Sequence, residues 1–207
     1  MNCVDSIKYG VCEDTHLKTL QNLSEGEVRF FQSLLPLIPQ PPANSSIKTE
    51  EEIFQLYDLQ VDKRSQIRET IKVIDMDLTE PFLNLCSMLK VNPLQHKVDE
   101  CLDKGQKISL FYKAYFNRAR PFQVSLFYSS NFAPMASISS WTASYPSGHT
   151  IQAEMLCMMY CRAYPKHSHR FKQIAELISY SRLVGGLHFQ SDIDVGKYIV
   201  KLINGEK

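Results

Sequence analysis

Apolar residues recur at helical spacing through most of the chain, and breaks rich in proline and polar residues separate the periodic stretches. Ser24, with Glu27 three residues later, has the pattern of a capping box before a first helix, which a cluster of prolines ends. Thr49 and Glu52 repeat the pattern before a second helix over about residues 50–60. The first quarter of the chain is therefore predicted to contain two helices.

The next stretch, residues 65–89, has irregular spacing near the helical period and predicts two helices that meet near Thr79. Asn92 and Pro93 open another short helix, which Gly105 is predicted to end as a C-terminal cap, and residues 108–116 are ambiguous. Further helices are predicted over residues 147–164, 171–183 and about 191–203.

No internal repeat or flexible linker divides the chain, so these elements predict one domain. We expect an all-α, single-domain helical bundle over residues 23–207. Residues 1–22 have no sustained period and are predicted to form an irregular N-terminal arm.

Composition narrows the function classes. The chain has 207 residues, 44% hydrophobic composition and a formal net charge of +1, so no global field would attract nucleic acid or an anionic membrane. We see neither a basic patch followed by an apolar leader nor the roughly 18 consecutive apolar residues of a membrane span. We therefore expect a soluble, cytoplasmic protein with reduced cysteines, in which an exposed apolar helix face would allow a homo-oligomer.

Three short segments in the second half combine cations, histidines and a carboxylate. Lys113 and Arg120 are seven residues apart, and Pro121 disfavours helical angles at Arg120, so its planar guanidinium would be presented from a turn. Two basic residues near a helix end are, by themselves, more often a solvated surface. Only their combination with the other two segments makes them candidates for binding an anion.

The second segment is Pro146-Ser147-Gly148-His149, directly before an apolar helical run. A helix that begins here would offer free backbone N–H groups and the positive end of its dipole to an anion. The Ser147 hydroxyl would add a donor, and Gly148 would permit close approach. The same four residues would also suit an ordinary capped helix.

The third segment contains Arg182, a pair of glycines, His188 and Asp192. If a helix begins near His188, Asp192 lies four residues further on and can accept a proton from one ring nitrogen. The other ring nitrogen would then be available to attack an electrophile. A surface His–Asp pair is the alternative reading of this segment.

Together the segments resemble the signature of the type 2 phosphatidic acid phosphatase superfamily, which includes bacterial non-specific acid phosphatases and vanadium haloperoxidases. The matching pattern is Lys, six residues and Arg-Pro; then Pro-Ser-Gly-His; then Ser-Arg, five residues, His, three residues and Asp. About eleven specified positions at a frequency of ~5% each make a chance match negligible. The resemblance covers residues 113–192 and leaves the N-terminal half, and thus substrate choice, unconstrained.

The resemblance implies a bundle of the acid phosphatase and vanadium haloperoxidase type and a metal-independent phosphohydrolase that forms a phosphohistidine. His188 would be the nucleophile, Asp192 would orient it, and His149 would be the general acid and base. Phosphate would be held by the positively charged or hydrogen-bond-donating residues Lys113, Arg120, Ser147, Gly148 and Arg182. No cofactor or metal is expected, and the partner would be a small phosphate or diphosphate ester.

Two other functions stay open at this point. Vanadate has the shape and charge of phosphate, so the same cations could hold it as the cofactor of a haloperoxidase. A phosphate-binding protein that has lost turnover would also retain the signature. A lipid phosphatase at a membrane surface is disfavoured by the expected lack of spanning helices.

Overall fold

A computed structural model describes residues 3–10, 14–130, 132–137 and 140–205 of the chain. Its α-helices are, in chain order, α1 (Asp14–Gln21), α2 (Glu25–Leu34), α3 (Ile47–Met76), α4 (Glu80–Leu89), α5 (Gln95–Phe116), α6 (Pro121–Val124), α7 (Gly148–Ala163), α8 (Ser168–Val184) and α9 (Gln190–Ile203). Within these ranges, extended pairing is confined to an isolated bridge between Lys8 and Arg118. The all-α prediction is confirmed.

The predicted starts of the first two helices have different outcomes. The capping box of α2 is confirmed: Ser24 Oγ accepts from the Glu27 backbone N–H, and Glu27 accepts in return from the Ser24 backbone. The box predicted at Thr49 and Glu52 is wrong, because α3 begins a turn earlier with Ser46 as its N-cap. Glu52 is therefore inside the helix, where it is 1% exposed.

The helix ends predicted near residue 60 and at Gly105 also differ from those in the structure. Helix α3 continues past residue 60 to Met76, with a kink at Ile67, and α4 follows at Glu80, which confirms a junction near Thr79. Gly105 does not end a helix, because α5 continues through it to Phe116. A Cβ on Gly105 would lie 2.8 Å from Gln152 Cγ, so this glycine lets α7 pack closely on α5.

The N-terminal arm is not irregular throughout, and that prediction is wrong for residues 14–21. These residues form α1, which packs against α5. A helix of eight residues is marginal by itself and is stabilised by tertiary packing, which the pattern of its own residues does not report. The preceding segment is also anchored, since Val4 is buried and the Asn44 side-chain amide donates to the backbone oxygens of Val4 and Ile7.

Helix α7 packs against α5, α8 and α9, and α3 packs against α8. The aromatic core includes parallel rings of Phe82, Tyr160 and Phe171, with 4.7 Å between the centroids of the last two. These rings pack α4, α7 and α8 against one another. The single-domain boundary at residue 23 stays a prediction.

Candidate active site

The three signature segments meet at one end of the bundle. Lys113 lies in the last turn of α5, Arg182 in the last turn of α8, and Gly148 opens α7. His188 lies in the α8–α9 loop and Asp192 in the first turn of α9. The Ser147 backbone N–H donates to the Asp192 carbonyl oxygen at 3.0 Å, which ties the beginnings of α7 and α9 together.

A cavity of about 520 Å³ opens at this end of the bundle. Five of the predicted site residues line it: Lys113, Arg120, Gly148, His149 and His188. The remaining wall comes from His16, Met76, Gln106, Ser109, Leu110, Thr142 and Gln152. The size suits a small ligand, and the two cations and three imidazoles that line the cavity suit an anionic one.

Arg120 is positioned as predicted at a break in the helix. It is the N-cap residue of α6 with extended backbone angles (φ −74°, ψ 156°), and Pro121 follows in the first turn. Its side chain is 1% exposed and donates to the carbonyl oxygens of Thr142 (2.8 Å) and Leu187 (2.6 Å). Burial lowers the pKa of Arg120 to about 10, so the guanidinium stays charged at neutral pH.

Lys113 provides the second buried cation of the cavity. Its side chain is 4% exposed, and its ammonium group donates to the carbonyl oxygens of Ala143 and Ser144. These neutral acceptors orient the ammonium group but do not cancel its charge. The wall of the cavity therefore has a positive field.

Arg182 does not line the cavity. Its Nη1 donates to Asp75 Oδ1 at 2.9 Å, its Nη2 donates to the Ile71 carbonyl oxygen, and the side chain is fully buried. Its charge nevertheless reaches the site, because it helps to lower the pKa of His149. The sequence analysis did not predict a role for Asp75, because nothing near this residue indicates a partner 107 residues away.

Ser147 and Gly148 take different positions at the start of α7. Ser147 is fully buried as the N-cap residue, and its Oγ accepts from the Thr150 hydroxyl at 3.0 Å and the Thr150 backbone at 3.4 Å. Gly148 lines the cavity, and a Cβ there would lie 3.3 Å from Ser109 Oγ. Its lack of a side chain keeps this wall open to a ligand.

His188 lies between a carboxylate and a guanidinium. Its Nδ1 is 3.2 Å from Asp192 Oδ2, and Arg120 Nη1 is 3.1 Å from its Nε2. Asp192 accepts a hydrogen bond from Nδ1–H of His188. The lone pair is then on Nε2, which accepts a hydrogen bond from Arg120. Burial, followed by the charges of Arg120 and Lys113, lowers the pKa of His188 well below its usual value, so the ring is neutral near pH 7.

His149 lies in the first turn of α7 and also lines the cavity. Burial and the charges of Arg182, His188, Arg120 and Lys113 lower its pKa well below the usual value. An anion in the cavity would oppose this shift, because it would neutralise part of the positive field. His149 can therefore gain a proton when an anion binds.

Asp192 is held by more groups than the sequence indicated. Besides His188, Asp192 Oδ2 accepts from the Ser144 hydroxyl and the Phe189 backbone N–H, while Oδ1 accepts from Arg118 Nη1 at 2.7 Å. Burial alone would raise the pKa of Asp192, but Arg118 and the bond with His188 hold it below its usual range. Arg118 lies two residues before Arg120, and the sequence pattern favoured Arg120 over it because Pro121 follows Arg120.

Two further properties concern metals and membranes. Among the described residues, no group of three or more His, Cys, Asp or Glu side chains could hold a metal ion. The helices of the described chain include none with both the length and the apolar character that crossing a bilayer requires.

The fold and the site define an all-α protein with a cation-lined cavity whose size and charge suit a small anion. A family model described as "PAP2 superfamily" matches residues 102–200. This match, together with the acid phosphatase relatives described next, confirms the resemblance found in the signature.

Similar proteins include two curated non-specific acid phosphatases, from Salmonella typhi and Salmonella typhimurium. Each is 34% identical to this chain over 88 residues, which is 42% of this chain and 34% of the relative. The match thus spans about a third of the length of these relatives. A solved structure, the transmembrane PAP2-type phosphatidylglycerolphosphate phosphatase from Bacillus subtilis, aligns over 92% of this chain and 91% of its own with a TM-score of 0.37 and 19% identity.

Proposed function

We propose that this protein is a metal-independent phosphatase that hydrolyses small phosphate or diphosphate esters through a phosphohistidine on His188. The observation that carries the proposal is the pairing of Asp192 with Nδ1 of His188, next to two buried cations in one cavity. The names of the Salmonella relatives support the phosphatase class.

In the first step, the lone pair of His188 Nε2 attacks phosphorus as the bond from phosphorus to the ester oxygen breaks. Arg120 donates to this nitrogen at 3.1 Å in the unliganded site, so its N–H has to turn to a phosphate oxygen when the substrate binds. Asp192 accepts the hydrogen bond from Nδ1–H throughout and stabilises the positive charge that develops on the ring. Lys113 and Arg120 stabilise the charge on the phosphoryl oxygens.

His149 supplies the proton for the departing alkoxide. It is neutral in the unliganded site, and the bound phosphate raises its proton affinity, so it becomes an acid only when substrate is present. In the second step it takes a proton from water, whose oxygen attacks phosphorus while the bond to His188 breaks. Inorganic phosphate leaves, His188 regains the lone pair on Nε2, and His149 releases its proton to solvent and becomes neutral again.

The other predicted phosphate-binding residues act from behind the wall. Arg182 contributes its positive charge without lining the cavity, and Ser147 fixes the start of α7 so that the Gly148 backbone faces the ligand. Vanadate would be held by the same groups, and we expect it to act as a competitive inhibitor.

The test is turnover of a panel of phosphate monoesters and diphosphates with a chelator present, by wild type, His188→Ala and a control, His96→Ala. His96 is exposed in the first turn of α5, at the opposite end of that helix from Lys113, and pairs with Glu100. We expect wild type and the control to be equally active and His188→Ala to lose at least about a thousandfold. Undiminished hydrolysis by His188→Ala would refute the assignment.

A further inference from the structure

Behind His188, the signature residue Asp192 belongs to a buried group of charges whose other two members are not signature positions: Glu52 of α3 and Arg118 of the loop after α5. Glu52 lies outside residues 102–200, and each of the three is at most 3% exposed. We propose that Glu52 and Arg118 are positioning residues for the nucleophile, and that Glu52 sets the net charge behind it. This inference rests on the proposed function.

Arg118 connects the two carboxylates. Its Nη1 lies 2.7 Å from Asp192 Oδ1, and its Nη2 lies 3.3 Å from Glu52 Oε2. The guanidinium also lies 3.9 Å above the Phe189 ring, which limits its movement. Because Arg118 occupies Oδ1, Asp192 presents Oδ2 to His188, so the orientation of the carboxylate is fixed from behind.

Ser191 closes the group through its backbone and its side chain. Its backbone N–H donates to Glu52 Oε1 at 2.7 Å, and its hydroxyl lies 3.0 Å from Glu52 Oε2 and 2.7 Å from Arg118 Nη1. The backbone bond satisfies an N–H in the first turn of α9, where negative charge is also favoured by the helix dipole. Glu52 therefore ties the N-terminal half of the chain to the helix that carries Asp192.

The charges explain why a second carboxylate is useful there. Arg118 and Asp192 alone would cancel, and the nucleophile would have no net negative charge behind it. With Glu52 ionised the group has a net charge of −1, which favours the positive charge that His188 acquires on attacking phosphorus. Burial raises the pKa of Glu52 above its usual value, and Arg118 offsets only part of that shift, so acid would remove this charge.

The charged groups around this system are defined. Glu52 is faced by Arg118 and Asp192, and His188 is faced by Asp192, Arg120 and Lys113. Loss of the Glu52 charge disfavours protonated His188. The acid limb of the kcat/KM profile, where the free imidazole is required, should then move to lower pH while the plateau falls.

The experiment compares wild type with Glu52→Gln, which keeps the shape of the side chain and removes its charge. We expect kcat and the single-turnover rate of phosphoenzyme formation to fall about ten- to a hundredfold, with KM and inhibition by inorganic phosphate unchanged. The acid limb should move down in pH. Glu154→Gln is the matched control. Burial also raises the pKa of this α7 carboxyl, but Glu154 faces Lys197 of α9 and does not contact the Glu52 group, so its substitution should change neither kcat nor the acid limb.

Ser191→Ala is a second variant, which removes the hydroxyl between Glu52 and Arg118 but no charge. We expect kcat to fall severalfold while the acid limb of the kcat/KM profile stays at its wild-type pH. This variant therefore tests the positioning role even if Glu52→Gln does not fold. A wild-type kcat in Ser191→Ala, or wild-type kcat and pH profile in a folded Glu52→Gln, overturns the inference. If His188→Ala remained fully active, the proposed function itself would fail, which is a separate result.

Discussion

Two imidazoles of the cavity, those of His149 and His188, make the stability of this protein depend on pH in a defined direction. His149 and His188 both have a pKa well below the usual 6.5, because burial and the neighbouring cations oppose protonation. Below about pH 6.5 the unfolded chain therefore binds protons that the folded protein does not. The free energy of unfolding falls as pH decreases from about 6.5 toward the low folded pKa values.

The magnitude follows from the unfolded pKa of about 6.5. Between about pH 7.5 and 5.5, each histidine that stays neutral in the folded protein lowers the free energy of unfolding by about 1.4 kcal/mol. Two such histidines give about 2.7 kcal/mol, or a Tm change of about 5–11 °C for a chain of this size. Glu52 acts in the opposite direction, since a raised pKa makes the folded protein bind the proton first.

Comparison between variants removes the contribution of Glu52 and of other shared groups. We would measure chemical denaturation at both pH values for wild type, His188→Asn and the exposed-site control His96→Asn. Wild type and the control should show the same pH dependence, and His188→Asn should lose about 1.4 kcal/mol of it. An unchanged pH dependence in His188→Asn would show that the ring takes up a proton over this pH range as readily in the folded protein as in the unfolded chain, and would refute the reasoning.

Three further perturbations test other parts of the site. Inorganic phosphate at a hundred times its Kd should stabilise wild type by about 2.7 kcal/mol. Differential scanning calorimetry should show this as a rise in Tm that is lost in Arg120→Ala, and an equal rise in the variant would contradict phosphate binding at Arg120. Gly148→Ala places a methyl group 3.3 Å from Ser109 Oγ, so the inhibition constant for phosphate should rise about tenfold, and an unchanged constant would place phosphate elsewhere. Asp75→Asn removes the charge that pairs with Arg182 and should lower the free energy of unfolding by about 1–3 kcal/mol, whereas unchanged denaturation would show that the pair contributes nothing.

Sequence patterns could predict those parts of the molecule that depend on neighbouring residues. The α2 capping box, the break at Arg120-Pro121 and the i,i+4 relation of His188 and Asp192 are local, and the structure shows each of them. Gly105 shows the limit of such rules. A glycine at that spacing resembles a helix end, but here it makes room for α7.

The groups that support the candidate site depend on contacts between distant residues and could not be found in this way. Glu52 is 139 residues from Ser191, and Asp75 is 107 residues from Arg182. In the sequence, Glu52 is one of several glutamates at the start of α3 and has the spacing of a helix cap. Only the packing of α3 beside α8 and the start of α9 distinguishes it from its neighbours.

The most direct test of the account is to find where the phosphoryl group is attached during turnover. Wild type would be mixed with a fast-reacting phosphate ester, quenched in base to preserve phosphohistidine, digested and analysed by mass spectrometry, with His149→Ala included to slow hydrolysis of the intermediate. The account predicts a phosphoryl group on the His188 ring, enriched in His149→Ala and absent from His188→Ala. A phosphoryl group on another side chain, or turnover by wild type with no protein-bound phosphoryl group in either protein, would contradict it.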